Sequence, residues 1–359
     1  MTNMIDYLMW RGDIPISREY PINEVDSLIL ARLSYFPFDK IDLKPKETIE
    51  SVSKKSLNVE DKYFSHKSEK ELIKELIKAP RFKDLIITDY VHNSDKITEK
   101  QFGAVAIHLP KGEIYISYVG TDNTINGWKE DFNMAFMDNV PCQLSGLEYL
   151  KHISIKYPTK KIILGGHSKG GNIALYTFVS APKITQYRIK EVYNFDGPGL
   201  NSTIWDKYYN TTLLNKIKTY IPQESIIGRL LIHKEKIIIC ESREKGIMQH
   251  DICSWHVLKD KLIKLDKTTK ASEYINDAVE NWLKETTIEQ RKIFIDTIFE
   301  ILNSSEVDSF IEILSSITIT APKILRKYKE LSEEEKKTMS EMMKKFITSY
   351  FNTLTKRKK

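Results

Sequence analysis

Residues 161–178 read KIILGGHSKGGNIALYTF, and how this stretch is read decides the fold. A short apolar run, KIIL, breaks into glycines around one serine and then takes up a helix-like pattern, GNIALYTFV. Gly166-His167-Ser168-Lys169-Gly170 is a G-x-S-x-G pentapeptide. That spacing calls for a strand that ends in a sharp turn opening directly into a helix, which exposes the serine as a nucleophile. Gly166 and Gly170 remove side chains where helix and strand approach, and the helix start aims the Lys169 N–H at a developing oxyanion. A phosphate-binding loop would need Gly-Lys-Ser/Thr at the helix start, but the chain has Gly170-Gly171-Asn172 there. A purely structural turn would not need a serine.

Outward from this stretch, strand and helix signals alternate. FGAVAIHLP (102–110) and EIYISYVG (113–120) read as the first strands, joined by a hairpin turn at Lys111-Gly112. Helical patterns cover about 125–138 and 143–156, a further helix follows the serine at 170–181, and IKEVYNF (189–195) is a strand. A helix near 202–215 precedes the strand KIKTYIP (216–222), and KIIICES (236–242) reads as the last strand. Such alternation predicts an α/β fold, a mostly parallel central sheet with helices on both faces.

Residues 22–35 carry apolar positions at helical spacing, whereas about 40–100 is Lys/Glu-rich and reads as helices decorating a surface. After 265 only amphipathic helical patterns remain: 272–285, 287–302 with a capping box at Thr287 and Gln290, and EVDSFIEILSSI (306–317). In the last helix Ser332 and Glu335 form a second cap, and Met339, Met342, Met343, Phe346, Ile347, Tyr350, Phe351 and Leu354 share one stripe. The expected organisation is a domain at 1–265 with the helical insert at 40–100, then a helical extension at 266–359.

With 55 basic against 49 acidic residues and a net charge of +6, the surface is well solvated and not a nucleic-acid stripe. Three widely spaced cysteines indicate neither a disulfide framework nor a zinc site, and a reducing compartment is expected. The first residues lack a signal-peptide pattern and no apolar run spans a bilayer, so the expected location is the cytoplasm. The terminal stripe, ending in KRKK, reads first as a helix docked on the body, with peripheral contact to an anionic membrane as its alternative.

A serine hydroxyl needs a base, and the base an orienting acid, in the chain order Ser, Asp/Glu, His on this kind of sheet. His66, His92, His108 and His152 precede Ser168, and His167 is its neighbour with a ring badly placed to take its proton. Of His233, His250 and His256, only His250 lies in the loop after the last strand and outside a helix-like stretch, so it is the candidate base. Asp196, opening DGPG after a strand, is the candidate acid, with Glu224 in YIPQESIIG as the alternative. Thr121, after Gly120, is placed to give the second oxyanion donor beside Lys169.

The blocks YVGTDNTINGWKEDFNMAFMD, GGHSKGGNIALY, VYNFDGPG, IPQESIIGRLL and GIMQHDICSW resemble a bacterial lipase-like family, the Mbeg-like family, from IDYLMWRGDIP at the N-terminus to about residue 260. More distantly the chain is similar to class 3 triacylglycerol lipases. That resemblance implies an α/β-hydrolase fold, Ser168 as nucleophile, His250 as base and Thr121 as an oxyanion residue. Those lipases carry an arginine where this chain has Val119, and place their acid after the strand that here ends in PQES. The function expected is cleavage of a small-molecule or lipid ester through an acyl-enzyme, with no cofactor and no metal. A thioesterase or acyltransferase would use the same serine, and a non-catalytic binding protein on a hydrolase scaffold is the rival class.

Overall fold

A computed structural model describes residues 2–66, 68–122, 124–303 and 317–356. The strands are β1 (Lys46–Thr48), β2 (Ile86–Asp95), β3 (Lys100–Leu109), β4 (Glu113–Tyr118), β5 (Lys161–His167), β6 (Ile189–Phe195), β7 (Ile217–Pro222), β8 (Ile237–Cys240), β9 (Val257–Leu258), β10 (Lys261–Leu262) and β11 (Lys264–Leu265). The helices are α1 (Met4–Arg11), α2 (Glu24–Leu33), α3 (Ile49–Ser56), α4 (Ser68–Lys78), α5 (Ile125–Asn133), α6 (Pro141–Lys156), α7 (Lys169–Ser180), α8 (Lys183–Arg188), α9 (Ser202–Tyr208), α10 (Thr211–Leu214), α11 (Lys270–Glu285), α12 (Ile288–Asn303), α13 (Ile317–Glu330) and α14 (Glu333–Lys356). They form two compact units. One takes in the described residues of Met1–Asn93, Phe102–Gly120 and Cys142–Thr269, the other those of Ser94–Gln101, Thr121–Pro141 and Lys270–Lys359.

The first unit is built on a sheet in the order β1-β2-β3-β4-β5-β6-β7-β8-β11. From β4 to β8 neighbouring strands run parallel, while β3–β4 and β8–β11 are antiparallel pairs. Parallel strands covered on both faces read as apolar runs, as β5 does from Ile162, while β6 is buried from Val192 to Phe195. The two coverings follow from the two-residue period of β4. The Tyr115 hydroxyl and the Ser117 Oγ donate to the carbonyls of Ser27 and Leu30 in α2, at 3.1 and 2.9 Å. Tyr118, the next residue on the strand, points the other way and donates to the Gly146 carbonyl of α6 at 3.2 Å. The turn at Lys111-Gly112 forms as the sequence predicts, both residues with positive φ (67° and 74°) between paired Leu109 and Glu113.

Two readings need correction. Residues 40–100 are not only surface helices: β1 and β2 add two strands at the sheet edge, because IITDYV is rich in β-branched and aromatic side chains. The Lys/Glu run also hides an apolar stripe, and Leu72, Ile73 and Leu76 of α4 are buried with Ile49 and Val52 of α3. Nor is KIIICES the last strand, since β9–β11 follow it, and His256 lies beside β9 and not in a helix. Its Nδ1 contacts Glu241 at 3.0 Å.

Asp89, with φ of 54°, fastens β2 to α6 through Lys156 at 2.5 Å, Tyr157 at 2.9 Å and His152 at 3.4 Å. Burial raises its pKa, but the hydrogen bonds from Lys156, Thr88, Tyr157 and His152 outweigh it and bring the value to about 2. A carboxylate depressed in the folded state stabilises the fold above its unfolded pKa and loses that contribution as pH falls toward the folded value. Wild-type stability in a denaturant titration is therefore expected to fall between about pH 4 and pH 2. In Asp89→Asn the slope over that window is expected to flatten, and an unchanged slope would remove Asp89 as its source.

In the second unit Phe294, Ile295, Phe299 and Met342 are buried together with Ile125, and Trp282 and Met339 pack around them. The Trp282 indole donates to the Met342 carbonyl at 3.1 Å and meets Phe346 edge-on. Both caps form: Thr287 and Gln290 exchange bonds of 3.1 Å, and Glu335 and Ser332 bonds of 2.8 and 3.2 Å. The stripe on α14 thus divides, with Met342 in the core and Met343, Ile347 and Phe351 exposed. Residues 306–316, read as helix from the sequence, and the last three residues of KRKK lie outside the described residues. No described helix is long and apolar enough to cross a membrane.

Candidate active site

β5 ends at His167 and α7 begins at Lys169, so Ser168 alone makes the turn, at φ 56° and ψ −130°. A non-glycine residue there costs about 1–3 kcal/mol, which surrounding contacts must offset. The Ser168 N–H donates to the Phe195 carbonyl at 2.9 Å, and its own carbonyl accepts from Gly171 and Asn172 at 2.9 and 3.2 Å. The two flanking glycines are steric requirements. A Cβ on Gly166 would stand 2.3 Å from the Gly170 carbonyl carbon, and one on Gly170 2.2 Å from the Tyr118 carbonyl oxygen. Both obstacles are backbone, so neither can move aside.

The parallel register pairs His167 with Phe195, which sets Ser168 level with Asp196 at the C-terminal ends of neighbouring strands. Asp196 also has positive φ (50°), and its N–H donates to the Tyr220 carbonyl of β7 at 2.8 Å. Its carboxylate is 1% exposed and engaged at both oxygens. Oδ1 accepts from Ser225 Oγ at 2.5 Å and Gly228 N–H at 3.2 Å, and Oδ2 lies 2.6 Å from His250 Nδ1. A carboxylate facing Nδ1 fixes the neutral ring with its hydrogen there, leaving Nε2 as the acceptor. Behind Asp196, Asn194 bonds Gly197 with both ends of its amide, at 2.9 and 3.1 Å. Asn172 of α7 donates to the Gly199 carbonyl at 2.6 Å.

His250 closes a short 3-10 turn, Gly246–His250. Trp255 Nε1 donates to the Gln249 carbonyl at 2.8 Å, and the Gln249 side chain links the Glu224 N–H at 2.9 Å to the Glu244 carbonyl at 2.7 Å. The Glu224 carboxylate accepts from the Gly246 N–H. Glu224 therefore holds the loop that carries His250, whereas Asp196 holds the ring. His233, the histidine before β8, pairs instead with buried Glu235 at 2.8 Å. Lys169 is buried at the start of α7, and Thr121 lies in the second unit with its hydroxyl donating to Asp131. The residues that shape the Asp196 turn, namely Asn194, Asn172, Ser225 and Gly228, were not singled out for this from the sequence. The asparagine before DGPG is the signal that could have found the first.

A sheet that is parallel from β4 to β8, helices on both faces and a positive-φ serine between β5 and α7 define an α/β-hydrolase fold. Residues 76–300, more than half of the chain, match the Mbeg1-like family, and the chain belongs to it. The match starts near the end of α4 and runs past residue 260 through most of α12. Comparison with curated proteins finds no match. Among solved structures the chain is similar to lipase II from Rhizopus niveus, at 15% identity, 60% of this chain, 78% of that one and a TM-score of 0.38. It is also similar to Lip2 lipase from Yarrowia lipolytica, at 13% identity, 60% and 77% coverage and a TM-score of 0.36. A fungal lipase–inhibitor complex matches at 13% identity over 76% of this chain and 89% of that one, TM-score 0.39.

Proposed function

We propose that the chain is a serine hydrolase that cleaves a carboxylic ester through an acyl-enzyme. The observation that carries this reading is one carboxylate, Asp196, with His250 Nδ1 at 2.6 Å, level in the sheet with a serine held at φ 56°. In this reading His250 Nε2 takes the Ser168 proton as Oγ attacks the acyl carbon. The tetrahedral oxyanion is met in this reading by the Lys169 N–H at the start of α7. Collapse breaks the ester bond, and the alcohol leaves with the proton from His250. Water, deprotonated by the same Nε2, then releases the acid and restores Ser168.

Burial of Asp196 favours this over a decayed site, because a buried carboxylate without a cationic or hydrogen-bonding partner is costly. Its three partners offset that cost and turn Oδ2 toward the ring. The test is labelling of purified protein with a fluorophosphonate, beside Ser168→Ala and His250→Ala. Labelling of the wild type alone is expected. A folded wild type that takes no label would leave the binding-protein reading in its place.

A further inference from the structure

His250 is tied to the body at a second point, through the residue that precedes the nucleophile. His167 Nε2 lies 2.7 Å from the His250 carbonyl oxygen, and the two rings face each other with centroids 4.5 Å apart. A carbonyl only accepts, so Nε2 carries the hydrogen and donates, which leaves Nδ1 of a neutral ring as an acceptor. The Tyr35 hydroxyl meets that need at 3.0 Å, and it also reaches the His167 carbonyl at 3.2 Å. Burial above all, and then His250 and Arg32, hold the His167 pKa well below the usual histidine range, so the ring stays neutral. Tyr35 is itself backed by the Arg32 guanidinium, 5.0 Å over its ring and paired with buried Glu69 at 2.9 Å.

We propose that His167 is a positioning residue for His250: its Nε2–H pins the base's main chain to the strand end that carries Ser168, and the Tyr35 hydroxyl braces the ring at Nδ1. The proposal rests on the reading of His250 as the base. Its physical sense lies in where His250 sits. The turn at 246–250 is outside the sheet ladder, so side-chain bonds must fix what strand pairing fixes for Ser168 and Asp196.

A histidine that merely fills space makes the opposite forecast, and two substitutions separate the two. His167→Phe keeps a ring and loses the donor. His167→Gln loses the ring and keeps an N–H at a similar reach. The first readout is the proton NMR signal of the His250 Nδ1–H in its bond to Asp196, which exists whether or not any ester is turned over. That signal is expected in wild type and His167→Gln, and to be lost to exchange in His167→Phe. The second readout is hydrolysis of a short-chain ester, where His167→Phe is expected to lower kcat about 10²-fold with KM little changed. His167→Gln should return most of that loss. Retention of the signal in His167→Phe, or its loss from folded His167→Gln, overturns the proposal. If His167→Phe does not fold, Tyr35→Phe carries the test: faster exchange of the same proton, by about five-fold for one net hydrogen bond, is expected, and unchanged exchange overturns it. Should wild type show the NMR pattern yet turn over no ester, the hydrolase reading fails while the role of His167 in holding His250 stands.

Discussion

Replacing Ser168 by alanine is expected to lower kcat for a short-chain ester by about 10⁶-fold while the protein stays folded. Alanine keeps a Cβ, so the backbone strain at φ 56° is unchanged and only Oγ is lost. Without Oγ no acyl-enzyme can form, and His250 and the oxyanion donor are left to act on water alone. Ser168→Gly should be equally inactive but more stable. Glycine accepts this backbone conformation without penalty, and after its extra unfolded-state entropy a net gain of about 1 kcal/mol remains. Parallel thermal unfolding of wild type and both variants measures this. A variant that keeps a substantial rate would mean that another residue is the nucleophile. A glycine variant that melts below the alanine one would mean that the turn is unstrained.

Asp196→Asn is expected to cost about 10⁴-fold in kcat, whereas Glu224→Gln should stay within a few-fold of wild type. The carboxamide is nearly isosteric, but its NH₂, if turned toward the ring, donates to Nδ1 and forces the hydrogen onto Nε2. A base already protonated at Nε2 cannot accept the serine proton. Ser225 and Gly228 favour that orientation, because both donate to the opposite oxygen and keep the carbonyl end on their side. Glu224→Gln loses charge yet keeps an oxygen to accept the Gly246 N–H, so the loop is still held. The two kcat values, taken at one pH on the same ester, decide the matter. The reverse order would make Glu224 the acid.

The serine turn was legible because its constraints are local: a strand, two glycines that only glycine can fill, and a helix start. The strand 189–195 was legible too, since the β-branched and aromatic Ile189, Val192, Tyr193 and Phe195 dominate it. The acid stayed open between Asp196 and Glu224 for a physical reason. Both follow strands at the same edge of the sheet, and spacing along the chain does not say which carboxylate faces the imidazole. That is set by Ser225, Gly228 and the positive φ of Asp196, and by a glutamine, Gln249, that engages the Glu224 main chain. β2 is hard to read because charged residues surround a short β-branched run, and the core role of α4 because lysines and glutamates break its apolar residues into pairs. Adjacency of His167 to the serine in the chain says nothing about where its Nε2 reaches, which is the His250 carbonyl.

The sheet and the loop share the three candidate residues unequally. Ser168 and Asp196 each donate a main-chain N–H to the next strand, to Phe195 and Tyr220, so they stay in place as long as the sheet does. His250 hangs between two closing pairs, Arg243 N–H to Ser254 and His256 N–H to Glu241, with only turns and side chains in between. Segments of that kind open at a lower free energy than the core they attach to. Warming should therefore silence the chain before it melts, and cooling should bring activity back at once. Comparing the temperature at which turnover collapses with the unfolding midpoint would register that gap as a reversible thermal cut-out, housed in one loop of an otherwise intact molecule.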